Sequence, residues 1–547
     1  IYPATEGMPQ KQLRRIMKQV IDTYGDKIEE TLPPALRERW RLIPLSEAIR
    51  QVHFPDDSVD VELLNAQRSP GHRRLIFEEL FFLELALALK RQGTLEEKRG
   101  IAYHGEGKLQ EKLRRLLPYR LTAAQERVLE EIRQDMRQPH PMNRLLQGDV
   151  GSGKTIVALF ALLTAIESGY QAAIMAPTEI LAEQHYLTLY PYLEQLGYPM
   201  ALLTSNVRGT RREALLSAIA RGEIALVIGT HALIQEDVRF ARLGFVVIDE
   251  QHRFGVLQRA SLMQKGYHPD VLVMTATPIP RTLAMTVYGD LDVSVIDQLP
   301  PGRQPITTRV FYEKQRERAY QLVRSEVEAG RQAYLVYPLV EESEKLELKA
   351  ATEMATRLQQ ETFPQFSIGL LHGRMRSEEK EAVMRAFAAG EIDILVSTTV
   401  IEVGIDIPNA SVMLIEHAER FGLAQLHQLR GRVGRGPHRS YCLLLAHYPM
   451  SEEARQRLRV MVESQDGFYI AERDLEIRGP GEFMGTRQSG LPELKLADLV
   501  RHQQLLQEAR QAAFSLVRED PKLQSYPLLR AVVQRDWLPR VSLIEVG

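Results

Sequence analysis

One eight-residue segment, GDVGSGKT at Gly148–Thr155, constrains the fold more than any other part of this chain. The apolar run RLLQ precedes it and the run TIVALFALL continues from it, so it joins a predicted strand to a predicted helix. Glycines let such a loop wrap closely around a phosphate, and the helix N-terminus offers N–H groups to the same anion. The segment therefore predicts a parallel-sheet α/β domain that binds a nucleotide.

Within and after this loop, charged residues are placed as nucleotide hydrolysis requires. Lys154 is predicted to reach the β- and γ-phosphates. Asp249 and Glu250, in VVIDEQH, end a buried run, where acids could simply cap the next helix. Beside a phosphate loop, however, Asp249 is expected to hold Mg²⁺ and Glu250 to orient the attacking water. Arg432 and Arg435, in QLRGRVGR, could form a solvated loop, but are expected to stabilise transition-state charge. The predicted loop contacts are Gly148, Gly151, Ser152, Gly153, Lys154 and Thr155, with Thr155 also on Mg²⁺.

The remaining pattern divides the chain into four ranges. Its 547 residues are too many for one core, and its composition, with 44% hydrophobic and 26% charged residues, is that of an ordinary globular protein. Helical spacing predicts a helical region over 1–115. Two series of short β-branched runs alternating with helices predict parallel-sheet lobes over 116–296 and 297–450, and a helical pattern returns over 451–547. A single cysteine and the lack of a long apolar run favour a reducing cytosol and no membrane.

Four segments, DEQH, MTATP, TTVIEVGID and QLRGRVGR, resemble in order and spacing the motifs of superfamily 2 helicases and translocases. The resemblance implies two RecA-like lobes with ATP and Mg²⁺ between them. It implies that Gln125 reads the adenine while Tyr119 stacks nearby, and that Gly404 and Asp406 face the nucleotide from the second lobe. The residues expected to couple hydrolysis to lobe movement are His252, Thr275 and Thr277.

The same resemblance implies a track for one nucleic-acid strand along both lobes. Hydroxyls and backbone N–H groups that follow strands can contact phosphates without reading sequence, so binding is expected to be salt-sensitive and independent of sequence. The residues expected on this track are Pro177, Thr178, Gly229, Thr230, His372, Gly373, Arg374 and Thr398.

Behind the second lobe, RDLEIRGPGEFMGTRQSG resembles the translocation region of the RecG family, which the transcription-repair coupling translocases share. In that family a helical hairpin and a loop pass lobe motion to double-stranded DNA. The match implies coupling roles for Arg457, Arg478, Arg487 and Gln488. The segments YPATEGMPQKQLRRIM and RRLIFEELFFLELALALKR resemble the linker that precedes the lobes in RecG proteins, so an upstream wedge domain is expected to precede Ile1 in a longer protein.

The resemblance implies an ATP-dependent double-stranded DNA translocase that regresses stalled forks and migrates Holliday junctions in repair and recombination. The expected enzyme is a monomer in the bacterial cytoplasm, at the nucleoid, with single-stranded-DNA-binding protein as a candidate partner. The alternatives are a transcription-repair coupling translocase, an RNA helicase, and a nucleotide-gated DNA clamp that does not unwind. Glu250 and the two arginines argue against the clamp, because hydrolysis needs them.

Overall fold

The computed structural model describes residues 9–56, 60–97, 100–250, 256–276, 291–300, 305–338, 352–373, 375–398, 407–478, 494–499 and 501–542. These residues form two compact units. One unit is built from described residues between 98 and 477, and the other from those within 1–97 and 478–547. Across the described ranges, no helix is both long enough and apolar enough to cross a membrane.

A seven-stranded parallel sheet forms the first lobe, with the strand order β3-β4-β2-β5-β6-β1-β7. Most of its strands are buried along their whole length and rich in Val, Ile, Leu and Ala, as expected when helices cover both faces. The strands are β1 (Asn143–Gly148), β2 (Gln171–Met175), β3 (Met200–Leu203), β4 (Leu226–Gly229), β5 (Leu243–Asp249), β6 (Asp270–Thr275) and β7 (Asp292–Ile296).

Helices of two characters surround this sheet. The helix after β1 is apolar on every side and buried from Ile156 to Ile166, so it belongs to the core. The others have exposed and buried faces. The helices of this lobe are α6 (Lys108–Leu116), α7 (Ala123–Met136), α8 (Lys154–Glu167), α9 (Glu179–Leu196), α10 (Gly209–Ala220) and α11 (Val256–Met263).

A six-stranded parallel sheet forms the second lobe, in the order β10-β11-β9-β12-β13-β8. This order repeats that of the first lobe, with β8 in the place of β1. A short 3-10 turn at Glu313–Gln315 follows β8, where a glycine-rich loop follows β1. The strands are β8 (Ile306–Tyr312), β9 (Gln332–Val336), β10 (Ile368–Leu371), β11 (Ile394–Ser397), β12 (Ala410–Glu416) and β13 (Ser440–Ala446).

The helices of the second lobe end in a hairpin. Ser451 caps α15 by accepting a hydrogen bond from the backbone N–H of Ala454, and Leu458 and Met461 of this helix join the core of the lobe. The helical hairpin therefore packs as part of the lobe. The helices are α12 (Arg316–Glu328), α13 (Ser377–Ala388), α14 (Leu423–Arg430), α15 (Glu452–Glu463) and α16 (Gly467–Arg478).

The other unit is helical and is organised around one long helix, α5. Residues Leu80–Ala88 of α5 are buried on all sides, and α17 packs along the helix. Chain segments far apart in sequence therefore share one core. The helices are α1 (Gln10–Tyr24), α2 (Pro34–Trp40), α3 (Leu45–His53), α4 (Val61–Asn65), α5 (Pro70–Glu97), α17 (Gln503–Glu519), α18 (Pro527–Val532) and α19 (Leu538–Ser542).

Charged side chains of α5 fix the C-terminal segment to it. The Glu84 carboxylate is completely buried and lies 2.7 Å from a guanidinium nitrogen of Arg510 on α17. The carboxylate of Glu79 accepts hydrogen bonds from three consecutive backbone N–H groups at 495–497, at 2.6, 2.9 and 2.7 Å. These contacts specify how the C-terminal segment docks, because a buried carboxylate is stable only with its partner in place.

The predicted fold class is confirmed: the chain contains two tandem parallel-sheet lobes and helical regions. The apolar run from Leu80 is a buried helix. Residues 479–493, which hold most of the glycine-rich segment, lie outside the described residues. The four ranges 1–115, 116–296, 297–450 and 451–547 remain predictions; the helices of the last range contribute to both units.

We expect Arg510→Met to lower the free energy of unfolding of the helical unit by about 3–5 kcal/mol, because it leaves a buried carboxylate without its partner. Both tryptophans, Trp40 and Trp537, lie in this unit, so tryptophan fluorescence in urea reports on its unfolding. Adding Glu84→Leu should restore most of the loss. Arg501→Met, which removes an exposed pair with Asp498, is the control and should cost under about 1 kcal/mol. Equal losses in the two single variants would contradict the assignment.

Candidate nucleotide and nucleic-acid site

The loop between β1 and α8 has the shape of a phosphate cradle because of its glycines. Gly153 has a left-handed φ of 86°, and a Cβ there would lie 2.3 Å from Nε2 of Gln125. A Cβ on Gly148 would lie 2.4 Å from Oγ of Ser152. Gly153, the N-cap residue of α8, has no side chain to cap the first N–H groups, so the loop leads into a helix N-terminus that suits an anion.

Lys154, the first residue of α8, folds back over this loop. Its Nζ donates hydrogen bonds to the carbonyl oxygens of Gly148 at 2.7 Å and Asp149 at 3.0 Å. Burial lowers the pKa of Lys154, while the nearby carboxylates of Asp249 and Glu250 act in the opposite direction. The ammonium group therefore lies between the phosphate loop and the two acids, where a phosphate could replace the carbonyl oxygens.

Gln125 braces the phosphate loop from α7. Its side-chain oxygen accepts a hydrogen bond from the N–H of Thr122 at 2.8 Å, and its Nε2 donates to the carbonyl oxygen of Ser152 at 2.8 Å. The oxygen and the nitrogen of this buried side-chain amide thus both form hydrogen bonds within the lobe. The ring of Tyr119 is 43% exposed and accessible to a ligand. The adenine-binding roles of Gln125 and Tyr119 remain predictions.

The two acids lie where β5 ends, each held differently. Asp249 closes the strand, and its Oδ2 lies 2.8 Å from Nε2 of His185 on α9. Glu250 adopts a left-handed φ of 52°, and its N–H donates to the carbonyl oxygen of Met274 at 3.0 Å. Burial, and then the charge of Asp249, raise the pKa of Glu250. A carboxylate with a raised pKa is a stronger base, which suits proton abstraction from water.

The second lobe contacts the phosphate loop directly through the end of α14. Nε2 of His427 lies 2.8 Å from Oδ1 of Asp149 in the loop. Just beyond α14, a Cβ on Gly431 would lie 3.0 Å from Cγ2 of Val150. Only a glycine fits this approach without displacing its neighbour, so the two lobes meet closely at the loop.

The two arginines that follow α14 lie near the groups that they are predicted to assist. Arg432 is buried, and its charge acts to lower the pKa of Glu250. Arg435 acts to lower the pKa of Lys154, and its Nε donates to the carbonyl oxygen of Gly431 at 3.2 Å. The arrangement brings cations from one lobe to the acids and the lysine of the other.

Arg430, the last residue of α14, connects this contact to the helical hairpin. Its Nη1 donates to the carbonyl oxygens of Met461 at 2.9 Å and Ser464 at 2.8 Å, where α15 ends. Its Nη2 lies 3.0 Å from Nδ1 of His427. A continuous chain of polar contacts therefore runs from Asp149 of the phosphate loop to the end of α15. In the same hairpin, Arg457, predicted to couple, donates to a backbone carbonyl at 419 at 2.9 Å.

The residues predicted to form the strand track lie in pairs at the carboxyl ends of neighbouring strands. In the first lobe Pro177 and Thr178 follow β2, and Gly229 ends the adjacent β4, with Thr230 next. Thr178 caps α9 by accepting a hydrogen bond from the N–H of Leu181 at 3.4 Å. Because β2 and β4 are parallel, the two pairs lie at the same end of the sheet.

The second lobe repeats this arrangement. His372 and Gly373 follow β10, and Thr398 follows the adjacent β11. The hydroxyls of Thr398 and Thr230 are both buried in this structure, whereas Gly373 is exposed. The hydroxyls of these two threonines are thus not at the surface of the described structure.

Other predicted residues lie beside the site or outside the described chain. Thr275 ends β6 in register with Gln147 of β1, at the same end of the sheet as the phosphate loop. Those outside the described residues, or described only in their backbone, are His252, Thr277, Arg374, Gly404, Asp406, Arg478, Arg487 and Gln488.

Three residues of the site were not identified from the sequence: His185, His427 and Arg430. Their partners lie 64 residues away for His185 and 278 for His427, and for Arg430 they are backbone carbonyl oxygens. A histidine within a helix has no spacing pattern that separates such contacts from a core position, so the sequence carried no usable signal for them.

Comparison with known proteins agrees with this geometry. The family model "DEAD/DEAH box helicase" matches residues 122–286, and "Helicase conserved C-terminal domain" matches 314–437. The model "ATP-dependent DNA helicase RecG, domain 3, C-terminal" matches 464–535. The three matches cover most strands of both sheets and the second helix of the hairpin.

Individual relatives extend over nearly the whole chain. The ATP-dependent DNA helicase RecG of Bacillus subtilis (strain 168) is 47% identical over 532 residues, which cover 97% of this chain and 77% of that protein. RecG of Synechocystis sp. is 54% identical over 536 residues, which cover 98% of this chain and 63% of that protein. The chain thus spans less than two thirds of the cyanobacterial relative.

A solved structure described as RecG bound to a three-way DNA junction is 48% identical, with a TM-score of 0.70. The match covers 92% of this chain and 65% of that one. The chain covers more than two thirds of the Bacillus subtilis protein at 47% identity, which is enough to assign it to the same family. This chain belongs to the RecG family of ATP-dependent DNA helicases.

Proposed function

We propose that this chain is an ATP-dependent double-stranded DNA translocase and helicase that remodels branched DNA during repair and recombination. The substrates we infer are stalled forks, which it regresses, and Holliday junctions, which it migrates. The observation that carries the proposal is the contact of α14 with the phosphate loop, because it joins two lobes at one nucleotide site. The relative solved with a three-way junction supports the choice of branched DNA.

We infer that ATP binds between the lobes with Mg²⁺. The hydroxyl of Thr155 and the carboxylate of Asp249 are oxygen donors of the kind that Mg²⁺ prefers. The described residues contain no group of three or more His, Cys, Asp or Glu side chains placed to bind a metal. That fits Mg²⁺, which takes its remaining ligands from phosphates and water, and which neutralises phosphate charge when bound.

Each side chain around the nucleotide would have a separate role in hydrolysis. Lys154 would exchange its carbonyl partners for the β- and γ-phosphates. Glu250 would orient the attacking water and accept its proton, for which its raised pKa suits it. Arg432 and Arg435 would stabilise the charge that develops on the γ-phosphate. We infer further nucleotide contacts from Gly404 and Asp406.

Movement between the lobes would advance the chain along DNA. The predicted track lies at the carboxyl ends of strands in both sheets, so a change in the angle between lobes changes the distance between the two halves of the track. Binding through phosphates leaves sequence unread, and the chain can step along any duplex. ATP binding would close the lobes, and hydrolysis would release them.

The hairpin would carry this movement toward the DNA duplex. Arg430 joins α14 to the end of α15, so displacement of α14 by nucleotide should displace the hairpin as well. Arg457 lies on α15, and Arg478, Arg487 and Gln488 follow in sequence, as expected for a transmission segment. We infer a monomeric enzyme at the bacterial nucleoid in the cytoplasm, with single-stranded-DNA-binding protein as a candidate partner.

The proposal is tested by ATPase rates measured side by side with single-stranded, duplex, forked and four-way DNA and with single-stranded RNA. We expect forked and four-way DNA to stimulate hydrolysis most, because they present duplex arms that meet at a branch. Unwinding of the forked substrate is measured in parallel. Stimulation by RNA alone, or hydrolysis without unwinding of any substrate, would overturn the proposal.

Lys154→Ala should reduce DNA-stimulated ATP hydrolysis to background, because the loop loses its phosphate-reaching cation. DNA binding without nucleotide should remain within about twofold, since the predicted track is separate from the loop; fluorescence anisotropy measures it. Lys265→Ala, remote from the loop and bonded to the carbonyls of Gln235 and Val238, is the matched control. Hydrolysis by Lys154→Ala at a rate near that of the unsubstituted chain would show that the site is assigned wrongly.

Gly431→Ala should weaken ATP binding by roughly tenfold, because overpacking a close contact typically costs about 1–3 kcal/mol. The added Cβ meets Val150 of the phosphate loop at 3.0 Å and forces the lobes apart. Val150→Ala removes Cγ2 but keeps Cβ, which would lie 3.1 Å from the added Cβ, so the double variant should recover part of the affinity. Titration with a fluorescent ATP analogue measures all three. Failure of Val150→Ala to rescue would show that the lobes do not meet in this way when nucleotide binds.

A further inference from the structure

His185 forms the one histidine contact to the acids at the end of β5 among the described residues. Its Nε2 lies 2.8 Å from Oδ2 of Asp249, and both side chains are almost completely buried. An ionised carboxylate can only accept hydrogen bonds, so Nε2 carries the proton and donates it. The bond fixes the rotation of the carboxylate, and Oδ1 of Asp249 accepts a hydrogen bond from the backbone N–H of Glu250 at 3.1 Å.

His185 belongs to a helix that begins at the predicted strand track. Thr178 caps α9, and His185 lies two turns further, on the buried face with Leu181 and Leu189. This stretch contains neither glycine nor proline; Pro191 comes later in the helix. A shift of the helix N-terminus is therefore passed rigidly along the first two turns to His185.

The exposed side of α9 is held by further polar contacts. Glu179 accepts a hydrogen bond from the N–H of Ser205 at 2.9 Å. Glu183 accepts one from Arg385 of α13, in the second lobe, at 3.2 Å. The position of α9 thus depends on the track at one end and on the second lobe along its side, and His185 connects that position to Asp249.

We propose that His185 is a positioning residue for the metal-binding carboxylate of Asp249, and that through α9 it makes the affinity for the divalent cation depend on bound DNA. The inference rests on the function proposed above. DNA held at Pro177 and Thr178 fixes the start of α9, which fixes His185 and orients Asp249. A shift of α9 when DNA binds or leaves would therefore change the orientation of Asp249 and its affinity for the cation.

The size of the effect follows from the position of His185 behind the metal ligand. Loss of a group that orients a metal ligand typically weakens metal affinity or activity about 10–100-fold. His185 does not contact the nucleotide loop, so removing it should leave the affinity for metal-free nucleotide unchanged. This separation distinguishes an orienting residue from one that merely supports the fold.

The test compares His185→Gln with His185→Asn in the full chain. The side-chain amide of glutamine places its nitrogen where Nε2 of histidine lies, whereas that of asparagine lies where Nδ1 does and falls short of Asp249. Both replacements are polar and similar in size, so both should fold, which thermal unfolding checks. Thr188→Ala, on the exposed side of α9, is the control.

The readout is Mn²⁺ binding to the ADP complex, followed by electron paramagnetic resonance with and without forked DNA. We expect DNA to tighten Mn²⁺ binding in the unsubstituted chain, in Thr188→Ala and in His185→Gln. His185→Asn should bind Mn²⁺ about 10–100-fold more weakly, with little response to DNA. Equal Mn²⁺ affinity in the Gln and Asn variants, or no response to DNA in the unsubstituted chain, would overturn the inference. Failure of the proposed function would differ, since the unsubstituted chain would then lack DNA-stimulated ATP hydrolysis.

Discussion

The contact between α14 and the phosphate loop is the interaction on which the rest of the motor depends. His427 bonds Asp149 across the cleft, and Gly431 lies against Val150 with no room for a side chain. A contact this close has two states, made or broken, because packed side chains do not stretch gradually. Arg432 lies two residues beyond α14, so in the proposed mechanism lobe closure would bring its charge to the γ-phosphate.

The buried charged residues of this molecule form two groups that differ in how well their charges are paired. Glu84 and Arg510 are paired away from the nucleotide, where they specify how the helices dock. Asp249 and Glu250 are instead buried side by side, and the pKa of Glu250 is raised because neither desolvation nor its neighbour is fully compensated. Perturbed pKa values of this kind are common at functional sites, which fits the proposed binding of a cation and a phosphate here.

Much of this architecture could be predicted from the sequence, and the part that could not has a physical reason. The phosphate loop and the apolar strands are local patterns, so the two lobes and the buried run from Leu80 were predictable. The contacts of His185 and His427 depend on the tertiary packing of elements that are far apart in sequence. Local sequence patterns do not encode that packing. The union of α5 with α17 likewise depends on packing between segments more than 400 residues apart.

The two sheets share one strand order but differ in the residues at the ends of equivalent strands. In the first lobe a glycine loop follows β1 and an acid ends β5; in the second, a 3-10 turn follows β8, and Glu416 ends β12 in the place of Asp249. Glu416 is buried and accepts hydrogen bonds from Tyr320 at 2.8 Å and Arg316 at 3.4 Å. The acid that would serve hydrolysis in one sheet is thus held by hydrogen bonds within the core of the other. With no second phosphate loop in the described chain, the proposed nucleotide site combines the phosphate loop of the first lobe with the arginines that follow α14 in the second.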